Sequence, residues 1–365
     1  MRILTRREWA GLATAPLFAR ELRLSRFDIQ SVRIPFAERV REAWLESWKH
    51  QKRDQTDYEL HFVRLHTDDG LTGIGEAKMP RAQAESVLRR MMGRPAAEFA
   101  GDDSIRGILI AIYDILGKAA GEPVSKILSP SAKDRVIPTW WSQCFPPAIM
   151  ASEAKLGASL GYRIHKVKAR PWQDPIEQAA AMCAAVPRHY RFWADANSSW
   201  GTVEKTVDVA TRLAKFPNYF AIESPISRAN VDGYRQLRGK LPLKVAEHVD
   251  GIDLDLWIRE KLIDAWISGA PKLGRYISTL SARALAAKAP IWIEHSIDNG
   301  IAQVFQAHQA AAYPGIQYVI SVTNVLADDC MAEPFTVRGG FYHIPDKPGL
   351  GVTLDEAALE KYRVA

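Results

Sequence analysis

Between Val136 and Val322 the sequence returns eight times to a short apolar run, at intervals of 22 to 28 residues. The runs are VIPTWWS, IHKVK, RFWAD, YFAIE, LKVAE, DAWISG, IWIEH and YVISV. They end at Ser142, Lys168, Asp195, Glu223, Glu247, Gly269, His295 and Val322. A parallel strand with its return helix needs roughly 30 residues, so eight such units in series predict an α/β fold of the TIM-type barrel class. The C-terminal strand ends of such a barrel converge on one mouth. Here that mouth would hold two lysines, three carboxylates and a histidine.

The rest of the chain follows another rhythm. Residues 26–36 alternate like a strand, and 58–66 and 72–77 flank Asp68-Asp69-Gly70, a hairpin signal. Residues 81–92 and 104–120 then read as helices, the second with apolar side chains at 105, 108, 109, 112, 115 and 116. Strands followed by helices make a separate α+β unit. The expected organisation is an arm over residues 1–21, an α+β unit over 22–134, the barrel over 135–331, and a segment over 332–365 long enough to return to the α+β unit. Residues 37–57 are polar and read as a long connection, either disordered or a functional lid.

Composition excludes some classes. Lys and Arg number 48 against 42 Asp and Glu, a net charge of +6, and the basic residues are scattered. That argues for a solvated basic surface rather than a nucleic-acid partner. No stretch reaches the ~20 apolar residues of a membrane span. Cys144, Cys183 and Cys330 lie far apart, with neither disulfide nor zinc spacing. Arg6-Arg7 before an apolar stretch resembles a twin-arginine export signal, but that stretch is short and contains Pro16. A cytoplasmic chain is the expectation, with export the alternative.

Three carboxylates facing one another raise each other's pKa, and a divalent cation removes that cost. Asp195, Glu223 and Glu247, each closing a different strand, are therefore expected to hold Mg²⁺, which leaves positions open for water or substrate. Lys166 and Lys168, at i and i+2, lie on one side of their strand. Neighbouring cations depress each other's pKa, so one of such a pair can act as a base near neutral pH. His295 ends the seventh run, across the barrel, and could donate or accept a proton. A metal bound to a carboxylate substrate, with a lysine base, suits abstraction of the proton α to that carboxylate.

With these residues assembled, the chain resembles the enolase superfamily, in its mandelate racemase/muconate lactonising branch, over residues 22–360. The matching stretches are residues 111–123 (AIYDILGKAAGEP), residues 161–168 with the lysine pair, Asp195-Ala196-Asn197, Ile222-Glu223-Ser224-Pro225 and Pro348-Gly349-Leu350-Gly351. The resemblance implies a capping domain over a (β/α)₇β barrel and Mg²⁺ on Asp195, Glu223 and Glu247. It implies Lys168 as base, Lys166 on the substrate carboxylate, and closure of residues 37–57 and 78–82 over the substrate. One departure stands out. The family places an aspartate or a lysine where this chain has Gly269, so His295 lacks its usual support. Glu294, Asn324, Asp328 and Glu333 are candidate substitutes, and Lys272 falls at another position.

The expected reaction is proton abstraction through an enediolate, with dehydration of a hydroxy or sugar acid favoured. A racemase, epimerase or cycloisomerase is the alternative, and a metal- and acid-binding pseudoenzyme is the alternative of another class. Trp44, Trp48, His50, Trp140, Trp141, Gln143, Asn197 and Asn324 are the candidate pocket residues. A homo-oligomer acting on a small carboxylate is expected.

Overall fold

The computed structural model describes residues 21–269, 274–294, 297–320 and 322–364. Strands β1 (Leu24–Pro35), β2 (Asp57–Thr67) and β3 (Thr72–Ala77) form an antiparallel sheet in that order. Helix α1 (Glu38–Lys49) joins the first two strands, and α2 (Arg81–Met91) follows the third. Next, α3 (Ile108–Ala120) buries Ile108 through Gly117. Each fully buried Ile or Leu there contributes ~1.5–3 kcal/mol. Gly73 is required where α3 crosses β3, because a Cβ at that position would overlap the Ala111 carbonyl oxygen. The short α4 (Val124–Leu128) leads into the barrel.

The barrel strands are β4 (Arg135–Ser142), β5 (Ile164–Lys168), β6 (Arg191–Asp195), β7 (Tyr219–Glu223), β8 (Lys244–His248), β9 (Ala265–Gly269), β10 (Ile291–Glu294) and β11 (Ile316–Ile320). All are parallel, and β11 pairs with β4 to close the cylinder. Between them run α5 (Pro147–Ser159), α6 (Pro175–Ala185), α7 (Val203–Leu213), α8 (Val231–Leu237), α9 (Leu254–Glu260), α10 (Arg275–Ala287) and α11 (Gly300–Ala312). The predicted (β/α)₇β barrel is therefore present. Trp193, Phe220, Trp292 and Tyr318 pack on one another inside it, below the mouth. After the barrel, β12 (Val337–Arg338) and β13 (Phe341–His343) extend the sheet beside β4. Helix α12 (Glu356–Lys361) then brings the chain back to the cap, where Arg33 N–H donates to Tyr362 O and Val364 N–H to Ser31 O.

Residues 37–57 are not the irregular connection expected from their polarity. Helix α1 fills more than half of them, with Val40, Ala43, Trp44, Ser47 and Trp48 buried on one face. That face has the helical spacing i, i+3, i+4, i+7, i+8. The arm carrying Arg6-Arg7, together with Lys272 and His295, lies outside the described residues. Among the described residues no helix is long and apolar enough to cross a membrane.

His308 on α11 ties three segments together. Its Nδ1 accepts the Ser125 N–H of α4 at 3.1 Å, and its Nε2 lies 3.1 Å from the Leu350 carbonyl. Both contacts are satisfied only by the neutral ring, and burial pushes its pKa down to about 4. Between pH 6.5 and 4 the unfolded chain binds this proton and the native chain does not, so stability falls as pH drops through that window. The full loss attributable to His308 is about 3 kcal/mol. Urea denaturation at pH 7.5, 5.5 and 4.5 should show it, and His308→Gln should flatten the fall.

Candidate active site

Register around the barrel decides which side chains enter the mouth. Paired residues on neighbouring strands face the same side, and successive residues alternate. Lys168 pairs with Asp195, Asp195 with Glu223, and Glu223 with Ala246. On β8 the inward residues are therefore Ala246 and His248. Glu247 pairs instead with Trp266, which belongs to the core outside the cylinder. Continuing round, Gly269 pairs with Glu294, two residues beyond the inward Trp292.

Lys166 is the centre of the site. Its fully buried ammonium donates to Glu223 Oε1 at 2.7 Å and to Glu294 Oε2 at 2.5 Å, and lies 3.1 Å from Asp195 Oδ2. Burial opposes its charge, but Glu223, Glu294 and Asp195 outweigh that and hold its pKa well above the ordinary lysine value. Lys166 is thus a permanent cation. Lys168 stands nearer the opening, with its side chain 12% exposed, and donates to Asp195 Oδ2 at 2.5 Å. Burial alone would raise the Asp195 carboxyl, yet Lys168 and Lys166 hold it far below the carboxylate range. Its other oxygen accepts the Asn197 N–H at 2.9 Å. Glu223 Oε2 accepts from the indole of Trp193.

His248 Nε2 lies 3.4 Å from Glu223 Oε1 and 3.3 Å from Glu294 Oε1. Burial disfavours its charged form, but Glu294 and Glu223 push its pKa up to about 9. Glu294 is held below its ordinary value, its burial outweighed by Lys166 and His248. Ligand atoms of Glu223, His248 and Glu294 all lie within 4.8 Å of one another.

Of the three carboxylates read from the sequence as a metal set, Asp195 and Glu223 share this pocket and Glu247 faces away. The Glu247 carboxylate accepts from Ser224 Oγ and the His248 N–H, each at 2.6 Å, and from the Tyr234 hydroxyl. Burial raises its pKa. The physical reason is that β8 runs one residue past Glu247, and a one-residue offset sends a side chain to the opposite face. Sequence reasoning missed His248. It named Glu294 only as a support for His295, although alternation from Trp292 already pointed Glu294 inward.

The pocket candidates separate. Trp44 and Trp48 are buried against Phe36, and Trp44 also packs on Trp141 and Phe145, so these rings join α1 to the barrel instead of lining open space. Trp140 is likewise buried, edge-on to Tyr162. His50 is exposed and stacks on Trp172 at 5.0 Å. Gln143 is buried, its Oε1 accepting the Cys144 N–H. Asn197 and Asn324 each carry a buried Oδ1 with no partner, beside Asp195 and Trp141 respectively. Arg39 of α1 bonds the buried Glu153 carboxylate and the Asn324 carbonyl, which pins α1 to the barrel. Residues 78–82 are anchored too, since Lys78 is ion-paired to Glu76 and Asp298.

Residues 149–358 match the family model described as enolase C-terminal domain-like. This chain belongs to the enolase superfamily. Its branch is that of mandelate racemase and the muconate lactonising enzymes, a group of enzymes. The superfamily chain is 27% identical to an arabinonate dehydratase of Saccharolobus solfataricus over 351 residues, covering 84% of this chain and 91% of that one. It is 23% identical to a D-gluconate dehydratase of Thermoproteus tenax over 353 residues, covering 82% and 69%. Among solved structures it resembles a racemase from Streptomyces coelicolor A3(2) with bound magnesium, with a TM-score of 0.74, 21% identity, and coverage of 93% and 100%. Members of the superfamily bind Mg²⁺. The donor chemistry here fits a divalent cation, because buried carboxylates from three strands already converge on a positive centre, the Lys166 ammonium.

Proposed function

We propose that this chain is a metal-dependent lyase that removes the proton α to a carboxylate and dehydrates a hydroxy or sugar acid. The observation that carries the reading is the division of labour between the two lysines. Lys166 is locked as a cation among three carboxylates, and Lys168 stands at the opening with a single carboxylate partner. Carboxylates of the barrel mouth, Glu223 among them, would help to hold a divalent cation, which would acidify the α-proton by drawing charge from the substrate carboxylate.

Lys168 then takes the α-proton, and its ammonium form stays oriented by Asp195. Lys166 offers fixed positive charge to the anion left behind, and a fixed charge in a water-poor site needs no reorganisation. As the C–O bond to the β-hydroxyl breaks, the electron pair left by the α-proton forms the C=C bond. Lys168 returns its proton to the departing hydroxide, so water leaves and the enol product ketonises. The dehydratase relatives support this reading. Gly269 speaks against a racemase, which needs a second base and its support on the opposite face.

The test incubates the protein with Mg²⁺ or Mn²⁺ and a panel of aldonic acids in D₂O, beginning with D-gluconate and arabinonate. NMR reads α-deuteration, and semicarbazide reads the 2-keto product. Formation of a 2-keto-3-deoxy acid is the expected result. Deuterated acid without dehydration would replace this reading with racemisation. Binding without either would replace it with a pseudoenzyme.

A further inference from the structure

We infer that the divalent cation in this chain is held by Glu223, His248 and Glu294, with Glu247 outside the set, and that this mixed nitrogen–oxygen site selects Mn²⁺ or Zn²⁺ over Mg²⁺. The inference rests on the reading that the barrel mouth holds a metal, and it is independent of which reaction follows.

Three observations carry it. First, the register sends His248 and Glu294 into the cylinder and Glu247 out of it. Turning Glu247 inward would strip it of the Tyr234 and Ser224 hydroxyls and of the His248 N–H. Second, one donor atom from each of Glu223, His248 and Glu294 already lies within 4.8 Å of the other two. His248 Nε2 stands between the two carboxylates. Asp195 is engaged by Lys168 and the Asn197 N–H. Third, Gly269 makes room. A Cβ at that position would lie 3.6 Å from Glu294 Cγ, so a longer side chain there would extend toward the space Glu294 uses.

Imidazole suits borderline metals, whereas Mg²⁺ prefers oxygen ligands only. A ligating His248 is neutral, because a ligand must be deprotonated.

The test is Mn²⁺ loading of the purified chain, read by electron spin-echo modulation and calorimetry without substrate. The expected result is ¹⁴N modulation from a bound imidazole in the wild type, lost in His248→Gln. Glu294→Gln should weaken Mn²⁺ binding by at least about tenfold, and Glu247→Gln should leave it near the wild-type value. Wild-type modulation needs no variant, and thermal melts identify any variant that fails to fold. A Mn²⁺ signal without nitrogen coupling, binding abolished in Glu247→Gln alone, or no Mn²⁺ binding at all would overturn the inference. Nitrogen-coupled Mn²⁺ with no α-proton chemistry on any acid would keep this site and remove the dehydration reading. Turnover with a nitrogen-free signal would do the reverse.

Discussion

Lys168→Ala is expected to lower α-proton exchange by about 10³-fold while leaving the thermal melt close to that of the wild type. A positioned general base contributes roughly 10²–10⁴-fold. The fold should survive because the Lys168 side chain lies at the mouth, partly open to solvent. Its removal leaves Asp195 with Lys166 at 3.1 Å and the Asn197 N–H, so that carboxylate keeps two partners. Exchange should be followed by ¹H NMR in D₂O on whichever aldonic acid the wild type turns over. Exchange within threefold of wild type would mean that another group takes the proton.

Lys166→Met is expected to do the opposite, costing stability before it costs anything else. The ammonium is fully buried among Asp195, Glu223 and Glu294. Removing one partner of a buried ion network leaves charge uncompensated, at a cost of about 3–5 kcal/mol. The pH dependence should also change sign. In the wild type, Asp195 and Glu294 are held below their ordinary pKa values, so they contribute stability that is lost as pH falls. Without Lys166, carboxylates buried with too little positive charge hold protons more tightly than in the unfolded chain, and stability is lost as pH rises. Melting curves at pH 5 and 8 read this directly. Added MnCl₂ should restore more stability to the variant than to the wild type, because the metal supplies the missing charge. A variant as stable as wild type at pH 8 in EDTA would contradict the proposed network.

The barrel was legible because its strands are covered on both sides, and continuous apolar runs recurring at a fixed interval suit little besides strands wrapped by helices. Five of the eight runs end on the residue where the strand ends: Ser142, Lys168, Asp195, Glu223 and Gly269. The error at Glu247 has a physical origin. A carboxylate closing an apolar run looks inward-facing, but the face depends on whether hydrogen bonding stops there or runs one residue further, to His248. Composition carries no record of that single residue. Helix α1 was hidden for another reason. Its buried face is only five residues wide within a polar segment, so counting polar residues masked a spacing that Trp44 and Trp48 display at i and i+4. Of Glu223, His248 and Glu294, the sequence reading placed Glu223 alone among its metal ligands. The rest depends on register, which only the folded barrel fixes.

The closure of the cap by the last residues has a consequence for synthesis on the ribosome. Strand β1 receives its edge partner from Tyr362 to Val364, which emerge some 330 residues after it. At translation rates of roughly 5–20 residues per second, the N-terminal sheet waits on the order of 15–65 s with one flank bare. Interception of nascent chains by a holdase should therefore concentrate on β1, and a stop codon placed before Tyr362 should prolong it.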